Sequence, residues 1–204
     1  MKFKNKVMIC LMKNISGYYW DIIDNLAFKL DRLAEKYYKK SIGTEYIREY
    51  QTFGISKNDK ILHIGSGAFP LTEIILAETI GANVVGIDNS IKAVNSANYL
   101  VNKKKLQDKI KINYGNGINY PIYDFDVVIV SACALPMVKI VDHVFKTAKN
   151  NSKIIVREME ASLKPLMDYI DMQRNIFIEK KIHNHPFPFI KPFGWQSFYL
   201  IKIK

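Results

Sequence analysis

The 204-residue sequence predicts an α/β fold, a doubly wound and mostly parallel sheet with an antiparallel last strand, preceded by a short helical N-terminal segment. Three observations carry this. From residue 60 to residue 156, short Ile- and Val-rich runs alternate with helical patterns, the order that builds a parallel sheet. The run Val127-Val128-Ile129-Val130 is wholly apolar, as a strand covered on both faces requires. Two later strand-like runs, 176–182 and 197–203, are joined by the proline-rich stretch HNHPFPFIKPFGW, too short for a crossover helix. Strands joined this way pair antiparallel.

The elements follow in order. Ser16 or Gly17 starts a first helix with Ile22, Leu26, Leu30, Leu33 and Tyr37 at helical spacing, and Gly43 breaks it. Thr44 caps a shorter helix to about Tyr50, with Glu45, Tyr46, Glu49 and Tyr50 as its polar residues. Residues 1–54 thus form a helical cap, expected over one end of the sheet of a 55–204 domain. Strand one is 60–64, followed by a helix from Pro70 to a cap at Gly81. Strand two, 83–87, leads to Ser90, which caps a helix with Ile91, Val94, Ala97 and Leu100 or Val101 on one face. Strand three is 110–114. Little separates it from strand four, 125–130, so the usual connecting helix is reduced or missing. A helix at 138–148, strand five at 153–156 and a helix at 163–172 lead to the antiparallel pair.

The bulk properties suit one soluble enzyme domain, 49% apolar and 24% charged. No apolar run reaches the roughly 18–20 residues of a membrane helix. The basic start MKFKNKVMICLMK has too short an apolar stretch for a signal peptide. Cys10 and Cys133 are lone thiols without metal-like spacing, which fits a reducing, cytoplasmic setting. The net charge of +11 is spread along the chain, and Lys103-Lys104-Lys105 at a helix end is its only tight cluster. A solvated surface accounts for this better than a nucleic-acid partner.

The stretch 61–90 holds the chemistry. A strand runs into Gly65-Ser66-Gly67, a helix follows, and a second strand ends on Asp88. This is the order of a nucleotide-binding βαβ unit. Glycines let the backbone approach a ligand, and an acid roughly 20 residues later grips a ribose. A tight turn without ligand is the plainer alternative for the glycines alone.

With the tail, residues 55–204 resemble the class I S-adenosylmethionine (SAM)-dependent transferases, whose Rossmann-like sheet has this antiparallel ending. The loop GSGAFPLT, 65–72, and the segment FDVVIVSACALP, 125–136, are similar to the nicotianamine synthase-like branch, which transfers an aminocarboxypropyl group rather than a methyl. In that branch Pro-Leu-Thr or Pro-Leu-Ser stands in place of a third glycine, so Phe69-Pro70-Leu71-Thr72 sharpens the resemblance. The resemblance implies SAM as cofactor. Gly65, Ser66 and Gly67 would pass under its methionine part, and Phe69 would belong to the same cofactor site. Asp88 would hold the ribose, with Asn89 beside the adenine. Asn116, followed by Gly117, would meet the adenine amino group, and Ser131 and Ala132 would line the sulfonium. His63 departs from the pattern, standing where many methyltransferases carry an acid, and the N-terminal segment is shorter than the helical domain of nicotianamine synthases.

A nitrogen nucleophile needs a carboxylate or tyrosine as base or anchor. Glu158, just beyond strand five, and Glu45 and Tyr46 of the helical cap are the catalytic candidates, although Glu158 could equally pair with Arg157. His63 reads as a core histidine more readily than as a base. His183 and His185 alternate and could share a metal, but no third ligand is evident, so no metal is expected. Phe187, Phe189, Phe193 and Trp195 either wall a substrate pocket or fold the loop back on the sheet, the second being favoured. The function expected is SAM-dependent transfer, foremost of a methyl group to a small-molecule or protein acceptor. Aminocarboxypropyl transfer building a metal chelator is the alternative, and an NAD-dependent oxidoreductase or an inert nucleotide-binding module ranks below both.

Overall fold

The structure is a computed structural model describing residues 40–185 and 194–203. Its elements begin with α1 (Ile42–Thr52), β1 (Lys60–Ile64), α2 (Leu71–Ile75, continued by a π-helical turn, Leu76–Ile80), β2 (Asn83–Asp88), α3 (Ile91–Lys103) and β3 (Ile110–Tyr114). They continue with β4 (Val127–Val130), α4 (Met137–Thr147), β5 (Lys153–Met159), a 3₁₀ turn (Glu160–Ser162), α5 (Leu163–Ile170), β6 (Ile176–Asn184) and β7 (Trp195–Lys202). The strands form one sheet in the order β3-β2-β1-β4-β5-β7-β6. The first five are parallel, and β7 slots between β5 and β6, antiparallel to both. The predicted fold class and antiparallel tail are both present. The strand order reverses between β1 and β4, which opens a crevice at their carboxyl ends.

Side-chain alternation assigns the two faces. Leu62, Ile64, Val128, Val130, Ile154 and Val156 face one side and pack with residues of α4 and α5 such as Ile140, Val144 and Leu166. Ile61, Val127, Ile129 and Ile155 face the other, where they share a core with Ile42 and Tyr50 of α1 and Leu71 and Ile75 of α2. The described part of the N-terminal segment therefore lies on a face of the sheet. All four β4 residues are buried, as their apolar run requires.

Several boundaries differ from expectation. The predicted break at Gly43 falls at Ser41 (φ −102°, ψ −87°), and α1 runs through Gly43. Thr44 is no cap; its hydroxyl donates back to the Lys40 carbonyl at 3.1 Å. Ser90 does cap α3, accepting from the Ala93 N–H at 3.3 Å, and Gly81 ends the α2 turn at φ +75°. Ile91 is 60% exposed, outside the buried face of Val94, Ala97, Leu100 and Val101. No helix joins β3 to β4. β5 extends to Met159 because β7 pairs with it as far as Met159↔Trp195. Glu158 is therefore within the strand, not beyond it. The first predicted helix, Cys10, Phe187, Phe189 and Phe193 lie outside the described residues. Among the described residues, no helix is long and apolar enough to cross a membrane.

Candidate active site

The glycine turn forms because β1 must reverse direction immediately above β2. Gly65 (φ +90°) and Gly67 (φ +68°) both adopt the left-handed region that side chains disfavour. A Cβ on Gly65 would also press on the Ser131 Cβ at 3.0 Å. The Gly65 and Ser66 N–H groups both donate to the Ile87 carbonyl, at 2.9 and 3.1 Å. The Gly67 N–H donates to Asp88 Oδ2 at 2.9 Å, and the Ser90 N–H donates to Oδ1 at 2.9 Å. Asp88 thus ties the turn to the end of β2, while each carboxylate oxygen keeps a lone pair for a further donor.

Above the turn lies a cavity of about 390 Å³, lined by Gly65, Ser66, Gly67, Phe69, Asp88, Asn89, Ser131 and Ala132 among others. A smaller one of about 80 Å³ adjoins it, sharing Gly65, Asp88 and Asn89 and reaching Asn116 and Gly117. All ten residues expected to bind cofactor line one or both. The Asn116 side-chain oxygen already accepts from the Ile118 N–H at 3.1 Å, which fixes the amide's orientation. A Cβ on Gly117 would overlap Ile64 and Ile140, so the loop can lie this low only with glycine there.

Beneath the turn is a buried polar group that sequence reasoning set aside as ordinary core. His63 Nδ1 lies 2.8 Å from Glu73 Oε1, and the Ser66 hydroxyl donates to the same oxygen at 2.5 Å. Burial alone would raise the Glu73 pKa, but the His63 charge and the hydrogen bonds from His63 and Ser66 outweigh it and hold the carboxyl below its ordinary value. An ionised Glu73 requires the proton on Nδ1. That leaves Nε2 buried without a hydrogen-bond partner among the described residues, in a side chain that lines the larger cavity. Gly86 makes room for this group, since a Cβ there would overlap Glu73 Oε1 and Ser66 Oγ.

The opposite wall is organised by Arg157, 1% exposed. It donates through Nε and Nη2 to Glu49, at 2.7 Å for the shortest bond, through Nη1 to Thr72 Oγ1 at 2.8 Å, and to the Tyr50 hydroxyl at 3.0 Å. The Ser197 hydroxyl also donates to Glu49 and in turn accepts from Asn184 Nδ2 at 2.9 Å. Burial opposes the charge on Arg157, but Glu49 more than compensates and lifts its pKa well above normal. The guanidinium carbon sits 3.8 Å from the centre of the Tyr46 ring, which also meets the Trp195 ring edge-on at 5.7 Å and the Tyr50 ring at 6.2 Å. Burial raises the Tyr46 phenol above its usual range against the pull of Arg157. At neutral pH Tyr46 is therefore a hydrogen-bonding wall, not a ready base. Trp195 Nε1 is buried and has no partner among the described residues.

The three catalytic candidates separate. Tyr46 lines the larger cavity. Glu45 does not; it pairs with Arg48 at 2.5 Å. Glu158 is on the face of β5 opposite Arg157 and accepts from the Ser162 hydroxyl at 2.7 Å and the Met159 N–H at 2.9 Å, holding the following turn. The partner of Arg157 is Glu49. Strand alternation was the available signal, because Arg157 and Glu158 cannot both face the crevice.

The family profile described as nicotianamine synthase protein matches residues 13–189, which includes most of the N-terminal segment. No curated protein sequence matches the chain. Among solved structures, a mutant of MtNAS in complex with S-adenosylmethionine superposes with a TM-score of 0.76 at 16% identity, covering 95% of this chain and 76% of that one. MtNAS in complex with MTA and tNA gives 0.75 at 15% identity, over 95% and 74%. A putative sarcosine dimethylglycine methyltransferase from Galdieria sulphuraria gives 0.61 at 13%, over 78% and 84%. At these identities the likeness is one of fold.

Proposed function

The chain belongs to the nicotianamine synthase family and is a SAM-dependent transferase, and on that premise we propose that it transfers the aminocarboxypropyl group of SAM to an amine of a small molecule. The family match over residues 13–189 carries this reading. The complex of MtNAS with MTA and tNA supports it from the side of a relative's bound molecules. The described end of the N-terminal segment, α1, then serves as a helical cap whose Tyr46 lines the crevice of the 55–204 domain. Two lone cysteines fit a cytoplasmic setting.

The residues present suit SAM. Asp88 retains acceptor capacity for two ribose hydroxyls, and the adjoining smaller cavity by Asn116 and Gly117 suits an adenine. His63 and Trp195 line the larger cavity, and each carries a buried ring nitrogen, Nε2 and Nε1, that has no hydrogen-bond partner among the described residues. Bound SAM would supply a sulfonium-activated carbon, so that an amine forms a C–N bond as the C–S bond breaks, the electron pair staying with the departing methylthioadenosine.

The protein's task is alignment and dryness. Arg157 holds Tyr46 in place, and Tyr46 offers a neutral hydroxyl that can orient the acceptor. Thr72 is held from the other side by Arg157. The proton released by the amine leaves to solvent through the cavity mouth or to a carboxylate of the acceptor itself, since neither Glu45 nor Glu158 lines the cavity and Asp88, which does, is engaged with the glycine turn.

Purified protein incubated with SAM and a panel of amino-acid acceptors tests this, with the spent cofactor read by mass spectrometry. Methylthioadenosine above the no-enzyme control, with an acceptor heavier by the aminocarboxypropyl group, supports the proposal. S-adenosylhomocysteine with a methylated acceptor would replace it by methyl transfer at the same site.

A further inference from the structure

We propose a divalent transition-metal site at the rim of the cavity, formed by His183, His185 and Glu160. The sequence offered two alternating histidines and no third ligand; the fold brings the carboxylate. One ligand atom from each side chain lies within 4.8 Å of the others, with Glu160 Oε1 3.7 Å from His183 Nδ1 and 3.8 Å from His185 Nε2. Ligands bound about 2.0–2.2 Å from one ion stand about 3–4 Å apart, so the two carboxylate–imidazole distances need little adjustment.

The three come from two separate parts of the sheet. Glu160 follows the last residue of β5, and the histidines flank Asn184 at the end of β6, with β7 between the two strands. Because Met159 and Asn184 both pair with Trp195, the register brings the two strand ends level. Asn184 is wholly buried and donates to Ser197 Oγ at 2.9 Å, which pins the histidines on either side of it. Gly194 leaves room for the His185 ring, since a Cβ there would stand 2.7 Å from its Nδ1. Among the described residues Arg48 is a nearby cation; it donates to the His183 carbonyl at 2.7 Å, and its charge is met by Glu45.

The remaining histidines differ. His63 is buried against Glu73, and His143 Nε2 lies 2.8 Å from the Tyr120 carbonyl. His183, His185 and Glu160 are all exposed, with imidazoles available to an ion. Two imidazoles and one carboxylate suit Zn²⁺, Co²⁺ or Ni²⁺ over Mg²⁺ or Ca²⁺. Three protein ligands on a four-coordinate ion leave one position open. Met159 precedes Glu160 in the chain, Trp195 pairs with Asn184 between the two histidines, and Gly194 packs against the His185 ring; all three line the larger cavity, so that position is within reach of a ligand entering it.

The test uses the full chain, titrated with Co²⁺ and followed by its visible d–d absorption, then with Zn²⁺ in competition. The expected result is one equivalent bound with a tetrahedral-type spectrum. Affinity should fall at least about tenfold in His183→Ala, His185→Ala and Glu160→Gln, and stay unchanged in His143→Gln. Zn²⁺ should also protect both His183 and His185 from diethylpyrocarbonate, a readout that needs no variant. Equal metal binding by wild type and the ligand variants, or modification of both histidines at the same rate with and without Zn²⁺, overturns the site. Neither readout depends on transferase activity, so failure here leaves the proposed reaction standing.

Discussion

Replacing Glu49 by Gln isolates the group that holds the cavity wall. Glu49 and Arg157 are 0% and 1% exposed, and their contact includes Nη2–Oε1 at 2.7 Å and Nε bonds at 3.1 and 3.2 Å. The amide keeps the shape but removes the charge and turns one acceptor into a donor, which faces donors on Arg157 or Ser197. An uncompensated buried guanidinium remains, with neutral partners alone: the Tyr50 and Thr72 hydroxyls and the Tyr46 ring. Breaking a buried pair from one side costs about 3–5 kcal/mol. In a domain of this size that corresponds to a melting temperature lowered by about 6–20 °C. Urea denaturation at constant m-value measures the loss directly. Combining it with Arg157→Met removes the stranded charge, so the double variant should be more stable than the sum of the single losses predicts by at least about 1 kcal/mol. A loss below about 1 kcal/mol for Glu49→Gln, the size of an exposed pair, or strict additivity in the cycle, would refute the reasoning.

Other outcomes follow from the same geometry. Asp88→Ala should weaken SAM binding by about 1.5–3 kcal/mol, roughly ten- to hundredfold in Kd by titration calorimetry; unchanged affinity would remove Asp88 from the cofactor site. Gly86→Ala drives a methyl into Glu73 and Ser66 and should cost about 1–3 kcal/mol of stability in denaturant melts. Because the folded Glu73 carboxyl has a lowered pKa, its stabilisation is present above the ordinary value near 4.5 and lost as pH falls through the folded one. The stability profile of Glu73→Gln between about pH 3 and pH 7 should therefore be flatter on its acid side than that of wild type, and parallel profiles would contradict a stabilised Glu73 carboxylate. Tyr46→Phe should keep SAM affinity while lowering turnover with the acceptor, as separate binding and rate measurements would show; equal loss of both would make Tyr46 structural.

Most of the site that local sequence can encode was legible. Gly65, Gly67 and Asp88 are fixed by backbone geometry at the end of a strand, and such geometry leaves a spacing that can be read. The group around Arg157 is built from Glu49, Thr72, Asn184 and Ser197, far apart in the chain and joined only by strand order and register. No local pattern announces it. Glu158 was misplaced by a boundary error: β5 is three residues longer than its apolar run because β7 pairs along it, and only the alternation within that extension separates Arg157 from Glu158. Glu160 became visible as a neighbour of His183 and His185 only once β7 stood between β5 and β6.

The insertion of β7 between β5 and β6 also sets an order of assembly. A chain emerging from the ribosome frees β1 to β5, with the glycine turn and Asp88, before Trp195 and Ser197 emerge. Until β7 arrives, Glu49 lacks its Ser197 partner, Tyr46 lacks the Trp195 ring, and β5 and β6 have no strand to hold them in register. Nucleotide-binding geometry can therefore precede the acceptor wall during synthesis. A nascent enzyme would meet its cofactor before it could commit that cofactor to reaction.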